Sequence, residues 1–268
     1  MPEITITSPS NPRLRQASAL RRRRERDREG LTLVDGFEEL SLALDSGVRP
    51  RTLFWCPELM AEAAQDIVAR CDAVGAQTIR LSRAAFEKVA YREGPDGVLA
   101  VVPGVERTTS ELAVGPDMLA LVCQAVEKPG NLGAMLRTAD AAGVGAVVAA
   151  DPVTDWGNPN LIRASKGTVF SVPVAADSTS VTLEWLRDNG IALVATTPDT
   201  DVLHTDVDYT GPVAIAVGTE KTGLDEAMLA AATYRVRIPM AGRADSLNVA
   251  TSAAIVLYEA VRQRLARR

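Results

Sequence analysis

A two-domain α/β protein, its second domain built on a doubly wound parallel sheet, is the fold this sequence predicts. Three observations point there. Strand-like and helix-like segments alternate along almost the whole chain, the pattern of α/β folds. The C-terminal strands, such as AVVAA at 146–150 and VAIAV at 213–217, are continuously apolar, as strands covered on both faces are. The length of 268 residues suits two domains at the usual roughly 100–200 residues each.

Residues 1–103 form the first unit. An Asn11-Pro12 turn opens a basic helix from Arg13 to about Arg28, and Gly30 breaks it. Leu31 to Val34 reads as a strand, and Phe37 to Leu44 is apolar at helical spacing. Thr52 to Trp55 is a strand, Ala61 to Val74 a helix, Thr78 to Leu81 a strand, Arg83 to Val89 a short helix and Val98 to Val102 a last strand. Residues 104–116 are rich in turn and polar residues and read as a linker. From 117 the alternation restarts, with strands expected at Leu119–Ala125, Ala146–Ala150, Ser171–Ala175, Ile191–Ala195, Val213–Val217 and Tyr234–Ile238, and helices between most of them.

Composition excludes several classes. Hydrophobic residues make up 47% and aromatic residues only 4%, which argues against a binder built on stacked aromatics. No apolar run reaches membrane-spanning length, and the N-terminus lacks the apolar core of a signal peptide, so a soluble cytoplasmic protein is expected. Three scattered cysteines, no C-x-x-C and a single histidine, His204, argue against a metal site or a disulfide framework. The net charge of −5 hides an asymmetry: residues 1–30 carry eight arginines against four acids, so the remainder is strongly acidic. A basic segment on an acidic body suits contact with a polyanion, and arginine favours phosphate; a solvated, salt-bridged helix fits the same residues.

Three strand-end loops carry candidate chemistry. In Glu127-Lys128-Pro129-Gly130-Asn131-Leu132-Gly133, Asn131 suits a helix N-cap, and Arg137 stands six residues on, roughly 9 Å up the axis. Its side chain leans back toward the strand ends. In Gly218-Thr219-Glu220-Lys221-Thr222-Gly223-Leu224, the glycines permit close backbone approach to a ligand, and the acid can orient a neighbouring loop. In the segment from Ile238 to Ala260, Ser246 or Asp245 can cap the last helix, Asn248 is a poor helix former placed at its start, and Arg262, Arg264, Arg267 and Arg268 suit its C-terminal dipole. Each loop taken singly is also an ordinary turn. Parallel-sheet folds place ligands outside the carboxyl ends of their strands, where three such loops can share one pocket.

These three segments, in this order, resemble the SpoU-type RNA 2′-O-ribose methyltransferases of the SPOUT class, the TrmH-like enzymes. Asn131, Gly133 and Arg137 match an N-x-G-x-x-x-R motif. Gly218, Glu220, Gly223 and Leu224 match G-x-E-x-x-G-L. Ile238 through Val249, with Tyr258 and Glu259, matches I-P-M-x-G-x-x-x-S-L-N-V and a later Y-E. SPSNPRLRQ and LTLVDG are similar to the substrate-binding domain of longer members, and the layout is nearest to actinobacterial ribosomal RNA methyltransferases. Thr219, Lys221 and Thr222 depart from the usual second motif, and Asp35 stands where glutamate is common.

The resemblance implies a deep trefoil knot in the C-terminal domain, a homodimer formed through that domain, and S-adenosylmethionine held by Val217, Gly218, Ile238, Met240, Leu247 and Asn248. It implies an N-terminal domain that grips RNA, to which Arg13, Arg15, Arg21, Arg22, Arg23 and Arg24 would contribute. The reaction it implies is methylation of a ribose 2′-hydroxyl, most naturally in 23S ribosomal RNA, with Arg137, Asn131, Glu220, Ser246 and Asn248 as active-site residues. A transfer-RNA ribose methyltransferase and a non-catalytic knotted RNA-binding or assembly protein are the alternatives.

Overall fold

In the computed structural model, residues 4–243 and 245–267 are described; Arg268 lies outside them. The chain divides into two compact units, one formed by Met1–Val105 with Trp156–Ser171, the other by Glu106–Asp155 with Val172–Arg268.

The first unit holds a five-stranded sheet. Its strands are β1 (Ile4–Ile6), β2 (Leu31–Asp35), β3 (Thr52–Trp55), β4 (Gln77–Leu81) and β5 (Val98–Pro103), in the order β1-β4-β3-β5-β2. β1, β4 and β3 are parallel, while β5 runs antiparallel to both β3 and β2. One sheet face, carrying Leu33, Phe54, Ile79 and Leu99, packs on Leu14, Ala17 and Phe86 of the flanking helices. The basic segment forms two helices where one was expected, α1 (Pro12–Ala19) and α2 (Arg23–Glu29). Asn11 caps α1 by accepting from the Arg13 amide, Pro12 opens it, and left-handed Gly30 ends α2. The break between them is stapled from inside: the buried Arg26 donates to the Leu20 and Arg21 carbonyls, each at 3.0 Å.

The segment 156–171, which the sequence boundaries place with the second domain, packs with the first unit. Its helix Pro159–Ala164 lies on β2, the Thr32 hydroxyl donates to the Gly157 carbonyl, and Asn160 donates to the Tyr91 hydroxyl at 2.8 Å. Asp35 receives the Tyr91 and Arg92 amides at 2.5 and 3.0 Å, and burial pushes its carboxyl above the ordinary range.

The second unit is a six-stranded, wholly parallel sheet. It contains β6 (Leu119–Gln124), β7 (Ala146–Ala150), β8 (Val174–Asp177), β9 (Ala192–Thr196), β10 (Val213–Val217) and β11 (Tyr234–Val236), in the order β11-β9-β10-β6-β7-β8. Ala120, Val122, Ala214 and Ala216 face Trp185, Leu224 and Met228 on one side. The last helix (Val249–Ala266) packs on β10 and on the helix Pro129–Ala141. The continuous apolar strands thus have both faces covered, as their sequence predicts. The expected linker is docked on this unit, with Thr109 bonded to Asp177 and the Arg107 carbonyl accepting from the Ala176 amide.

Candidate active site at the switch point of the parallel sheet

The chain leaves β6 on one side toward β7 and β8, then returns to build β9, β10 and β11 on the other. The crevice of such a sheet opens where the order reverses, between β6 and β10, beyond their carboxyl ends. The loops after those two strands are the first two candidate segments. Gln124, at the end of β6, fixes their spacing: its buried amide donates to Thr179 at 2.7 Å and accepts from the Asp225 backbone at 2.9 Å. Ala125 follows in the left-handed region at φ 51°, a conformation rare for non-glycine residues and common at functional loops.

Pro129 opens the helix after β6 and Lys128 is its N-cap residue. Asn131 is therefore not the cap expected from sequence; it sits two residues inside the helix, because proline, lacking an N–H, fits the first helical position. This placement frees its side chain. Asn131 Nδ2 donates to Glu220 Oε1 at 3.1 Å. Asn248 Nδ2 reaches the same Glu220 oxygen at 3.0 Å and Asn131 Oδ1 at 3.2 Å. Lys128 Nζ takes the other Glu220 oxygen at 2.6 Å. Glu220 is thus the hub at which all three loops meet. The Lys128 ammonium and then the Asn131 amide hold its carboxyl below the ordinary range, and Glu220 in turn raises the lysine.

The turn presenting Glu220 is tight. Thr219 and Gly223 exchange backbone hydrogen bonds at 3.1 and 3.0 Å, and Gly223 is left-handed. A Cβ on Gly218 would lie 2.1 Å from the Gly223 carbonyl carbon, so glycine is required there by contact.

Asn248 also caps the last helix, its Oδ1 accepting from the Ala250 amide at 2.9 Å. That corrects the expectation that Ser246 or Asp245 does so; the helix begins at Val249, too late for either. Ser246 instead lines a cavity of about 120 Å³ with Ile238, Met240 and Leu247, four of the residues expected here. Thr196 at the end of β9 and Thr197 and Pro198 after it, together with Val236, Arg237, Asp245 and Ser252, complete it. Val217 and Gly218 are buried at the end of β10.

Arg137 is exposed and, among the described residues, makes no hydrogen bond or ion pair. It is not drawn into the Glu220 hub. Tyr258 is half exposed, whereas Glu259 is buried and bonded to Arg262 and Gln263, which lower its carboxyl pKa. Arg264 likewise does more than complement a helix dipole, donating to the carbonyls of Asp117, Met118, Tyr209 and Gly211. Sequence reasoning named neither Lys128 nor Arg237 as a site residue. Their one signal was position, each at the end of a strand of the parallel sheet.

Residues 118–258 match the model of the SpoU rRNA methylase family. This chain belongs to that family. Residues 11–100 match an MRM3-like substrate-binding domain. The chain is 34% identical to the 23S rRNA (uridine(2479)-2′-O)-methyltransferase of Streptomyces viridochromogenes, covering 98% of this chain and 93% of that one. It resembles a crystal structure of an RNA 2′-O ribose methyltransferase at 42% identity and TM-score 0.85, over 98% of this chain and all of the other. An AdoMet-bound rRNA methyltransferase from Sinorhizobium meliloti aligns at TM-score 0.88 and 30% identity, over 96% and 97% of the two chains.

The residues present fit the cofactor of this family. The cavity joins apolar walls from Ile238, Met240 and Leu247 to hydroxyls from Thr196, Thr197 and Ser246. Arg237 also lines it, and its buried Nε meets no acceptor among the described residues. A slot of this size is below the roughly 300–1,000 Å³ of enclosed ligand pockets. The cofactor would therefore extend from it onto the adjoining loops.

Proposed function

We propose that this protein methylates a ribose 2′-hydroxyl of 23S ribosomal RNA, using S-adenosylmethionine. The single observation that carries the reading is the Glu220 hub, which closes three family motifs into one site beside the cavity lined by Ile238, Met240, Ser246 and Leu247. Bound there, S-adenosylmethionine would supply an electrophilic methyl group for the 2′-oxygen.

The protein supplies alignment and charge. Ile238, Met240 and Leu247 would hold the adenosine, with the backbone at Val217 and Gly218 contributing to its site. Asn131, Glu220 and Asn248 fix the loop geometry, and Ser246 faces the cofactor. The exposed Arg137 carries a charge that meets no partner among the described residues. It holds the phosphate next to the target ribose and stabilises negative charge developing on the 2′-oxygen. An arginine that stays protonated is no general base, so the hydroxyl proton leaves to water or to that phosphate.

Arg13, Arg15, Arg22, Arg23 and Arg24 are exposed and suit an RNA surface. Arg21 does not share that role: its guanidinium donates to the Val89 and Ala90 carbonyls at 2.9 and 2.8 Å and lies over the Tyr91 ring. The exposed Tyr258 and Leu265, with the half-buried Ile255 and Val261 at helical spacing along the same helix, form a stripe suited to a second copy of the chain. Homodimerisation, the threaded knot and a cytoplasmic location complete the reading. Among the described residues no helix is long and apolar enough to cross a membrane.

Mapping 2′-O-methyls in 23S and transfer RNA from a deletion strain tests the substrate; loss of a single transfer-RNA methyl, with ribosomal RNA unchanged, would overturn it. In vitro, Arg137→Ala is expected to lower turnover at least 100-fold while cofactor binding persists. Unchanged turnover would remove Arg137 from the mechanism.

A further inference from the structure

The cavity lined by Ile238, Met240 and Leu247 contains one cation and one anion, Arg237 and Asp245. The two do not neutralise each other: among the described residues they form no ion pair. Arg237 has a stronger peculiarity. Its backbone is fully used, with the amide donating to the Val202 carbonyl and the carbonyl accepting from His204, each at 2.9 Å. Its side-chain Nε is buried and meets no acceptor among the described residues. A buried donor without a partner carries a desolvation cost that an incoming acceptor removes. Guanidinium offers planar paired donors, whose natural complement is a carboxylate held at two oxygens.

We infer that Arg237 binds the carboxylate of the cofactor's amino-acid end, with Asp245 facing its ammonium group. The pair reads the zwitterion, while the apolar walls take the rest of the molecule. The inference rests on the cofactor reading above and goes beyond it, assigning cofactor specificity to two residues outside the family motif positions matched here. An ordinary surface arginine would keep its Nε in water. Here Arg237 lines the cavity with its Nε withdrawn from water, and Asp245 on the same lining supplies an acid of opposite sign.

The test is calorimetry on the full-length protein with S-adenosylmethionine and with its decarboxylated analogue, which lacks only the carboxylate. Wild type is expected to bind the parent about tenfold more tightly than the analogue. Arg237→Met should abolish that preference by weakening the parent alone, leaving affinity for the analogue within twofold. Arg237→Lys should restore part of the preference. Equal weakening of both ligands would mark Arg237 as structural, and an unchanged preference would place the carboxylate elsewhere; either result overturns the inference. Should Arg237→Met fail to fold, as judged by circular dichroism, Arg237→Lys and Arg237→Gln carry the same comparison. Failure of wild type to bind either compound would instead defeat the cofactor reading itself. Asp245→Asn should weaken both ligands, since both carry the ammonium; unchanged affinity for both would remove Asp245 from the clamp.

Discussion

Replacing Gly218 by alanine is expected to damage the active-site turn and the stability of the second unit together. The added Cβ would lie 2.1 Å from the Gly223 carbonyl carbon, 2.2 Å from its oxygen and 2.3 Å from the Leu224 nitrogen. Favourable contacts between carbon atoms lie at about 3.5–4.0 Å, so backbone must move by more than an ångström. No flexible side chain is present to yield. Overpacking of this kind costs about 1–3 kcal/mol. Relief would pull apart the Thr219–Gly223 hydrogen-bond pair, at about 1 kcal/mol for each bond. We expect a total near 3 kcal/mol in urea unfolding followed by circular dichroism. Glu220 sits inside that turn, so turnover should fall at least tenfold under conditions where the variant is still folded. Gly115→Ala is the control, because a Cβ there meets nothing within 4 Å. Unfolding of Gly218→Ala within 0.5 kcal/mol of Gly115→Ala, with full turnover, would refute the steric argument.

Other perturbations follow from single contacts. Lys128 is the largest influence holding the Glu220 carboxyl below its ordinary pKa. The hub needs the ionised acid, so activity is lost as pH falls through the folded pKa. Lys128→Met removes the largest cause of the depression, leaving the Asn131 and Asn248 amides, and should move the acid limb of the kcat profile to higher pH, with Lys128→Arg restoring it; an unmoved limb would show that Lys128 does not control Glu220. Arg264→Ala deletes donors to four carbonyls at the starts of β6 and β10. It should destabilise by about 3 kcal/mol, at about 1.5–3 kcal/mol for hydrogen bonds to charged groups and allowing for partial rehydration, and a urea midpoint equal to wild type would contradict this. Arg13→Ala with Arg15→Ala should weaken RNA binding and flatten its salt dependence by about two units of slope without lowering stability, whereas Arg21→Ala should lower stability first. Filter binding at several salt concentrations separates the two, and the reverse pattern would exchange their roles.

Much of this organisation was legible in the sequence. The apolar strands announced a parallel sheet because their burial on both faces leaves no polar alternation. Asn131, Glu220 and Asn248 were legible because they stand at strand ends, and hydrogen bonds join them as one unit. What was missed depends on contacts between distant segments. The helix cap went to Asn248, not Ser246, because one amide serves two purposes: Oδ1 caps the helix while Nδ2 reaches Glu220. Pattern reasoning treats those roles as competitors. The placement of 156–171 with the first unit turns on partners such as Thr32 and Tyr91, which lie far away in the chain. Arg21 looked like its neighbours in a run of arginines, and only the Val89 and Ala90 carbonyls distinguish it.

The division of labour in the site follows from how Glu220 is used. An effective general base has a pKa near the operating pH and an oxygen free to face the proton it removes. Glu220 has neither property. Its carboxyl is held below the ordinary range, and both of its oxygens already accept donors, Oε1 from two amides and Oε2 from an ammonium. Those donors come from the two other loops, Lys128 and Asn131 from the one after β6 and Asn248 from the start of the last helix, so the carboxylate organises the site and is not a group that reacts. Asn131 and Asn248 are likewise occupied with Glu220 and with each other. Among the described residues the exposed charge of Arg137 has no partner, as is also true of Lys221 and Arg243, and of the residues lining the cavity Arg237 has a buried side-chain nitrogen without an acceptor. Groups left unsatisfied by the fold are the ones available to ligands. That supports the roles proposed for Arg137 toward the RNA and Arg237 toward the cofactor, with the Glu220 hub joining the three loops.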